Sequence, residues 1–498
     1  MTADSRPFPP GDYPVVIVGS GPGGLQTSYS LRRLGIPHAV VSSDEGPGGM
    51  FRRFPLFERL ISWTHLLADV PRESRAYEAH DQNSLLADEP ELRSLVTTQL
   101  GEGRRRPTRQ EMEAGLRAFA ERAPVEVRYG CTWEATRHDG ESFHLTTSDG
   151  EYRCRVVVFA VGATEPWVPP IPGLELGQHY VHVEGSATRY RGTRVVIVGK
   201  RNSAFEVGES LVRRGVRELT LVSPRPPDLG RLARSPLRPW YLTPLDEHTR
   251  GAPGRYVLNG SVESVEQLAD EYRVRVFEPT SAEPLLLSAD VVIAATGFAA
   301  PLRDLPRLGL ATHADGRLPA LTPFWESATL PRVFFAGNIT QAAPGLRKGG
   351  VASLSSMVCG FRYNARILAR RIAEEVFGVK AQRTSVPRAE VTRHLISLLN
   401  DAAELSMQKG YLARVVSIQA DGVWDEGALP LEAFVDGSGD ALAVTLEFAA
   451  DETIQPMLYI RTARDIREIA LPPHPLRRYH ALAYASIIND ALGSALRR

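Results

Sequence analysis

Val15-Val16-Ile17-Val18 runs directly into Gly19-Ser20-Gly21-Pro22-Gly23-Gly24, and a helical pattern through Leu25, Ser28, Leu31 and Leu34 then stops at Gly35. A second apolar run, His38-Ala39-Val40-Val41, follows at once. The order predicts strand, helix, strand, the opening of a dinucleotide-binding fold. Gly19 makes the tight turn, Gly21 lets the backbone approach a pyrophosphate, and Gly24 packs helix on strand. Ser20, Pro22 and Gly23 complete the loop, and the helix start offers unpaired N–H groups and a positive dipole end to phosphate. Ser42-Ser43 stands where an acidic residue normally ends the second strand, with Asp44 and Glu45 just beyond. Either Ser42 or one of the two acids holds the ribose.

A second unit of the same kind begins at Arg194. Val195-Val196-Ile197-Val198 leads into Gly199-Lys200-Arg201-Asn202-Ser203-Ala204-Phe205-Glu206, a helix to Arg213, and the strand Leu219-Thr220-Leu221-Val222. Arg201 occupies the place of the middle glycine. Ser223 and Arg225 follow the strand, where a hydroxyl and a guanidinium would grip the 2′-phosphate that distinguishes NADPH from NADH. Two nucleotide folds in one chain, the first interrupted by the second, point to FAD plus a nicotinamide nucleotide.

Three more segments fit that plan. Val156 to Phe159, ending at Ala160-Val161-Gly162, and Val291 to Ile293, ending at Ala294-Ala295-Thr296-Gly297, read as strands with small-residue ends, the crossing points between the domains. Val333-Phe334-Phe335-Ala336-Gly337-Asn338 is a late strand with a polar tip. Asn338 would bond ribityl or pyrophosphate oxygens. Gly349-Gly350 is read as opening a long helix through Ser353, Met357 and Phe361, whose positive end would stabilise an anionic reduced flavin.

The expected fold class is α/β: two Rossmann-like dinucleotide-binding domains plus a C-terminal α+β extension. The FAD domain, 1–168 and 289–385, is split by an inserted NADPH domain, 169–288; the extension is 386–498. At 498 residues the chain exceeds one hydrophobic core. Lys+Arg and Asp+Glu are each 58, so the zero formal charge leaves no footprint for nucleic acid or an anionic membrane. No apolar run reaches the roughly 18–20 residues that span a bilayer. The N-terminus lacks a basic start followed by a signal-length apolar stretch, so the cytoplasm is the expected compartment. The three cysteines, Cys131, Cys154 and Cys359, are far apart, without a C-x-x-C pair or a Cys/His cluster of zinc spacing. That excludes a local redox dithiol and leaves no metal ligand set.

With these residues in view, the chain resembles the two-dinucleotide-binding flavoproteins of the flavin-containing monooxygenase type, over roughly residues 13 to 385. Within them it is similar to the group typified by FAD-dependent oxidoreductase domain-containing protein 2. Phe51-Arg52-Arg53-Phe54-Pro55 with Leu60-Ile61-Ser62, His80 to Leu86, Asn202 to Glu206, Leu321 to Ser327, Phe334 to Gly337, Arg347 to Gly350 and Gly360 to Tyr363 carry the likeness. The resemblance implies FAD at Gly19, Gly21, Gly24, Gly48, Gly49, Met50 and Asn338, with Ser20, Pro22, Gly23, Ser42, Phe51, Trp133, Gly162, Thr296, Gly297, Gly337 and Gly350 completing the cofactor set. It implies NADPH on Gly199, Lys200, Arg201, Asn202, Ser203 and Ala204.

The activity so implied is monooxygenation: NADPH reduces the flavin, oxygen adds at flavin C4a, and one oxygen atom passes to a nucleophilic nitrogen, of an amine or amino acid, or to sulfur. The alternative is an NADPH:acceptor oxidoreductase or oxidase without oxygen insertion. Asn83 and Asp81 are the candidates for the flavin's distal face, Asn83 as an amide donor; the other reading is that they cap a loop. The monooxygenase fingerprint F-x-G-x-x-x-H is not matched. The interval Gly173-Leu174-Glu175-Leu176-Gly177-Gln178-His179-Tyr180-Val181-His182 lacks the phenylalanine, and neither histidine falls at that spacing from Gly177.

In the extension, Val391, Leu395, Leu398 and Leu399 predict an amphipathic helix, and Leu442 to Phe448 and Met457 to Ile460 predict strands. Beyond a small-molecule substrate and O2, the expected partner contacts are homo-oligomerisation or a carrier protein through this extension.

Overall fold

In the computed structural model every residue is described except 1–3, 58, 102, 186–187, 228–245, 248–249, 282, 346–352, 381, 450, 452, 464, 481 and 494–498. The chain divides into two compact units. One comprises Met1–Arg52, Ser62–Ala163 and Ala300–Arg498; the other comprises Arg53–Ile61 and Thr164–Ala299. Against the boundaries expected from sequence, 164–168 and 289–299 fall in the second unit, and two further segments also group differently. The extension 386–498 groups with the first unit, and the short segment Arg53–Ile61 groups with the second. Phe54, Leu56, Phe57 and Ile61 pack on the core made by Tyr180, Val195, Ile197, Phe205 and Leu211, which explains the second departure.

The first unit is built on a four-stranded parallel sheet in the order Val333–Phe335, Val156–Phe159, Val15–Val18, His38–Val41. All of Val15–Val18 and Val156–Phe159 are buried, as strands with both faces covered must be, which is why they read as unbroken apolar runs. The helix Pro22–Arg33 starts with proline, whose fixed φ suits the first helical position, and packs against the helix Val358–Phe377. That second helix starts at Val358, not at Gly350. Its N-cap is Met357, whose N–H bonds Leu354 O at 2.9 Å in a tight turn. Arg347 to Gly350 lie outside the described residues.

The second unit repeats the plan with a five-stranded parallel sheet: Arg255–Asn259, Glu218–Ser223, Arg194–Val198, Val291–Ala294, Gln178–His179. Its helix, Asn202–Arg213, buries Ala204, Phe205, Val207 and Leu211.

The extension forms a six-stranded antiparallel sheet, Thr384–Ser385, Gly422–Pro430, Leu412–Gln419, Ala441–Phe448, Ile454–Arg461, Ile466–Ala470. Alternation sorts its side chains. Leu442, Val444 and Leu446 share a core with Val391, Leu395, Leu398 and Leu399 of the helix Val391–Asp401 and with Ile488 of the helix Leu482–Leu492. Ala441 and Ala443 face the opposite core, with Leu431 and Phe434. Among the described residues no helix is long and apolar enough to cross a membrane.

Candidate functional site

The first glycine loop is held by contacts that leave no room for side chains. Gly19 leaves its strand at φ +112° and donates its N–H to Val41 O at 2.8 Å. A Cβ there would lie 2.5 Å from Ala160 O; at Gly24 it would lie 2.0 Å from Gly19 O, and at Gly23 2.4 Å from Gly337 N. At Gly21 nothing lies within 4 Å. Three of these glycines are therefore demanded by protein against protein, while the fourth faces open space. Gly21 is also the N-cap of Pro22–Arg33, a helix with no side-chain cap and no acidic residue in its first turn. Its free N–H groups and positive end are left for an anion, so this cradle fits a pyrophosphate.

Beside it the ribose candidates converge. Ser42 Oγ is 2.8 Å from Ser20 Oγ, and Asp44 Oδ2 is 3.5 Å from both. Glu45 points away, strongly exposed, with Arg52 at 3.6 Å. Gly48 donates its N–H to Ser20 O at 3.3 Å, and a Cβ on Gly49 would approach Gly21 Cα to 3.2 Å. Met50 and Phe51 follow on a short 3-10 turn, half-buried. Asn338 Oδ1 accepts from Ala163 N at 2.9 Å, next to Gly162 at φ +70°. The Asn338 carbonyl thus ties two loop ends together. Trp133 is buried, and its indole N–H is spent on Thr136 Oγ1 (2.8 Å) and Ala135 O (3.1 Å).

The second loop copies the first. Gly199, at φ +136°, donates to Val222 O at 2.8 Å, and a Cβ there would lie 2.5 Å from Ala295 O. Arg201 is exposed at the N-cap, in extended conformation, with its carbonyl accepting Phe205 N at 3.1 Å. Asn202 Oδ1 is buried with no partner among the described residues, so the cradle holds an unsatisfied polar atom. Ser203 is half-buried and Ala204 fully buried. Ser223 ends its strand opposite Asn259, and Arg225 stands exposed just beyond. An exposed guanidinium and a hydroxyl at that strand end fit a 2′-phosphate.

Lys200 spends its side chain on the neighbouring strand. Its side chain turns inward, and its amine bonds Leu258 O and Asn259 Oδ1, each at 2.6 Å, while burial pulls its pKa down to about 8. The neighbouring strand needed a donor and took the lysine. Thr296 spends its hydroxyl on Trp167 O at 2.6 Å, whereas Gly297, at φ +98°, has open space where a Cβ would stand. His179 is buried with Nε2 3.1 Å from Gly297 O, and burial lowers its pKa.

Asp81 and Asn83 take the capping role. Asp81 Oδ1 accepts from Asn83 N (2.8 Å), Ser84 N (3.1 Å) and Thr64 Oγ1 (3.2 Å), and its Oδ2 accepts from Thr97 Oγ1 at 2.7 Å. Asn83 accepts from Ser62 Oγ at 2.5 Å and donates to Thr64 Oγ1 at 3.0 Å. Both are fully buried, and every polar side-chain atom of the pair is engaged within the turn. These bonds build an Asx-turn that fixes the loop, the alternative role the sequence leaves open for the pair.

In the sequence Glu206 stands out only as part of the Asn202 to Glu206 likeness. It is buried, accepts from Tyr180 Oη at 2.5 Å and from Phe57 N at 3.3 Å, and burial pushes its carboxyl up to about 7. A charged residue inside an otherwise apolar helix face was the available signal. The three cysteines are buried and unpaired, and burial raises all three thiols, Cys359 to about 11 and Cys154 to about 12.

A family model described as pyridine nucleotide-disulphide oxidoreductase matches residues 16–337. The chain belongs to this family. With its two nucleotide cradles, this pyridine nucleotide-disulphide oxidoreductase family member is an FAD- and NADPH-binding flavoprotein oxidoreductase. It is similar to the FAD-dependent oxidoreductase domain-containing protein 2 of Danio rerio, 23% identical over 477 residues, covering 84% of this chain and 67% of that protein. The chain thus spans about two thirds of that relative's length. A probable indole-3-pyruvate monooxygenase of Arabidopsis thaliana is 28% identical over 207 residues, 39% of this chain and 44% of that one. Solved structures of the same fold include a flavin-containing monooxygenase from Stenotrophomonas maltophilia, with TM-score 0.55 and 21% identity over 73% of this chain and 99% of that one. They also include the bacillithiol disulfide reductase Bdr from Staphylococcus aureus, with TM-score 0.54 and 17% identity over 73% and 99%.

Proposed function

We propose that this chain is an NADPH- and O2-dependent flavin monooxygenase that oxygenates a nucleophilic nitrogen of a small molecule, an amine or amino acid, or a sulfur. The observation that carries this reading is the state of the thiols. A disulfide reductase relays electrons through a thiolate beside the flavin. Here all three thiols are buried, unpaired and held protonated, so none takes that role. Electrons brought by NADPH leave for an acceptor from solution. The likeness to the Arabidopsis monooxygenase supports oxygen as that acceptor.

The chemistry supplied by bound FAD is hydride acceptance from NADPH and activation of oxygen. The protein binds and orients. The Pro22–Arg33 helix start receives the FAD pyrophosphate beside Gly21, and Ser42, with Ser20 and Asp44, holds a ribose. Arg225 and Ser223 select the 2′-phosphate of NADPH. Such catalysis asks little acid–base chemistry of the chain, in keeping with the internal engagement of Asp81 and Asn83.

A second reading, NADPH:acceptor reduction or oxidase activity without insertion, is favoured by the interval Gly173 to His182, which does not match the monooxygenase fingerprint. Turnover under isotopically labelled oxygen with a panel of amines, amino acids and thioethers, read by mass spectrometry, separates the two. Label in an organic product is expected. Label found only in peroxide or water would support the second reading.

A further inference from the structure

Gln408 lies fully buried just after the short helix Ala403–Met407 of the extension, yet its amide is spent on residues around the start of the Val358–Phe377 helix. Its Oε1 accepts from Leu354 N at 2.9 Å, and its Nε2 donates to Asn364 Oδ1 at 2.7 Å and Ser355 Oγ at 3.1 Å. Asn364 closes the set by donating to Ser355 Oγ at 2.9 Å. A Cβ on Gly360 would strike Leu354 O at 2.2 Å and approach Gln408 Cδ to 3.1 Å, so the first helical turn presses directly on this network.

Tyr411 holds an earlier stretch of the same connection. A Cβ on Gly345 would lie 2.8 Å from its ring, and its hydroxyl donates to Pro323 O at 3.0 Å. Gln408 and Tyr411 form one tight turn, with Tyr411 N and Leu412 N both 3.0 Å from Gln408 O. Of the described parts of this connection, one begins at Gly337, whose backbone abuts Gly23 in the FAD cradle, and the other leads into the helix that packs along Pro22–Arg33. A greasy contact would suffice to dock the extension. An amide with each atom paired to a particular backbone or side-chain atom instead sets position, because a buried polar group tolerates only the geometry that satisfies it.

We propose that Gln408, supported by Tyr411, is a positioning residue for FAD binding, which makes the extension a constituent of the flavin site rather than an appended module. The inference rests on FAD binding at the Gly19–Gly24 cradle and is independent of which acceptor the enzyme uses. The test uses full-length Gln408→Met and Tyr411→Phe, titrating FAD into apoprotein by fluorescence, recording the bound flavin's visible spectrum and reduction potential, and titrating NADP⁺ as a control on the second unit. In Gln408→Met, FAD affinity falls about tenfold, the flavin band and potential shift, and NADP⁺ affinity is unchanged. Tyr411→Phe moves the same readouts less far. Wild-type FAD affinity, spectrum and potential in a folded Gln408→Met protein overturn the proposal, as does a weaker affinity that only tracks a lower melting temperature with spectrum and potential unmoved. Should Gln408→Met not fold, wild-type values in Tyr411→Phe overturn it.

Discussion

Gly23 and Gly337 meet backbone to backbone: a Cβ on Gly23 would lie 2.4 Å from the Gly337 nitrogen and 2.5 Å from its Cα. Gly21, two residues earlier, has nothing within 4 Å and a φ of −69° that alanine adopts freely. Two superficially equal glycines thus do different work. Gly23→Ala is expected to destabilise the apoprotein by about 1–3 kcal/mol, because backbone cannot move aside as a side chain can. Gly21→Ala is expected to leave apoprotein melting unchanged and to weaken FAD binding at least about tenfold. Thermal melting and FAD titration of both variants check this; the reverse pattern would mean that the cradle is misassigned.

Arg225 is exposed at the strand end that Ser223 closes. Removing a charge-assisted contact to phosphate costs about 1.5–3 kcal/mol, so Arg225→Ala should raise the KM for NADPH by roughly ten- to a hundredfold and leave that for NADH unchanged. Steady-state kinetics with the two coenzymes decide it, and equal effects on both remove the assignment.

Lys200 separates structure from binding in the same loop. Lys200→Met orphans Leu258 O and Asn259 Oδ1, which should destabilise the protein by about 1–3 kcal/mol with the NADPH-to-NADH preference intact. Melting curves and the ratio of the two KM values measure this. A selective loss of NADPH would return Lys200 to the phosphate site.

Burial lifts the Glu206 carboxyl from 4.5 to about 7 in the folded protein. A raised carboxyl gives stability that is complete below the unfolded value and is lost as pH rises through the folded one. Glu206→Gln cannot ionise and still offers an acceptor to Tyr180. It should therefore match the wild type near pH 4 and exceed it by on the order of 3 kcal/mol at pH 8. Melting temperature against pH reads the difference, and parallel curves would contradict it.

The glycine loops and apolar strands could be read from sequence because parallel strands buried on both faces write unbroken β-branched runs, as Val15–Val18 and Val195 to Val198 do. Gly24 could be given its role because the atom it meets, Gly19 O, lies within the same βαβ unit. What escaped depends on partners distant in the chain. Gly23 is explained only by Gly337, and Lys200 only by Asn259. The bonds of Asp81 to Thr64 and Thr97 likewise come from residues 17 and 16 positions away. The start of the Val358–Phe377 helix was misplaced because a glycine pair signals a turn as readily as a helix entry, and the Leu354 turn that decides it is held by Gln408. The extension's helix and strands were visible from their periodicity, but its attachment was not, since Gln408 and Tyr411 carry no local signal.

The most direct test of the proposed monooxygenase function reduces the FAD-loaded protein with NADPH under anaerobic conditions, mixes it with oxygen, and follows recovery of oxidised-flavin absorbance together with peroxide release. Recovery in two resolved steps is expected, with peroxide release that drops when an accepted amine or thioether is present. Single-step recovery, with one peroxide released for every NADPH consumed across the whole substrate panel, would contradict it.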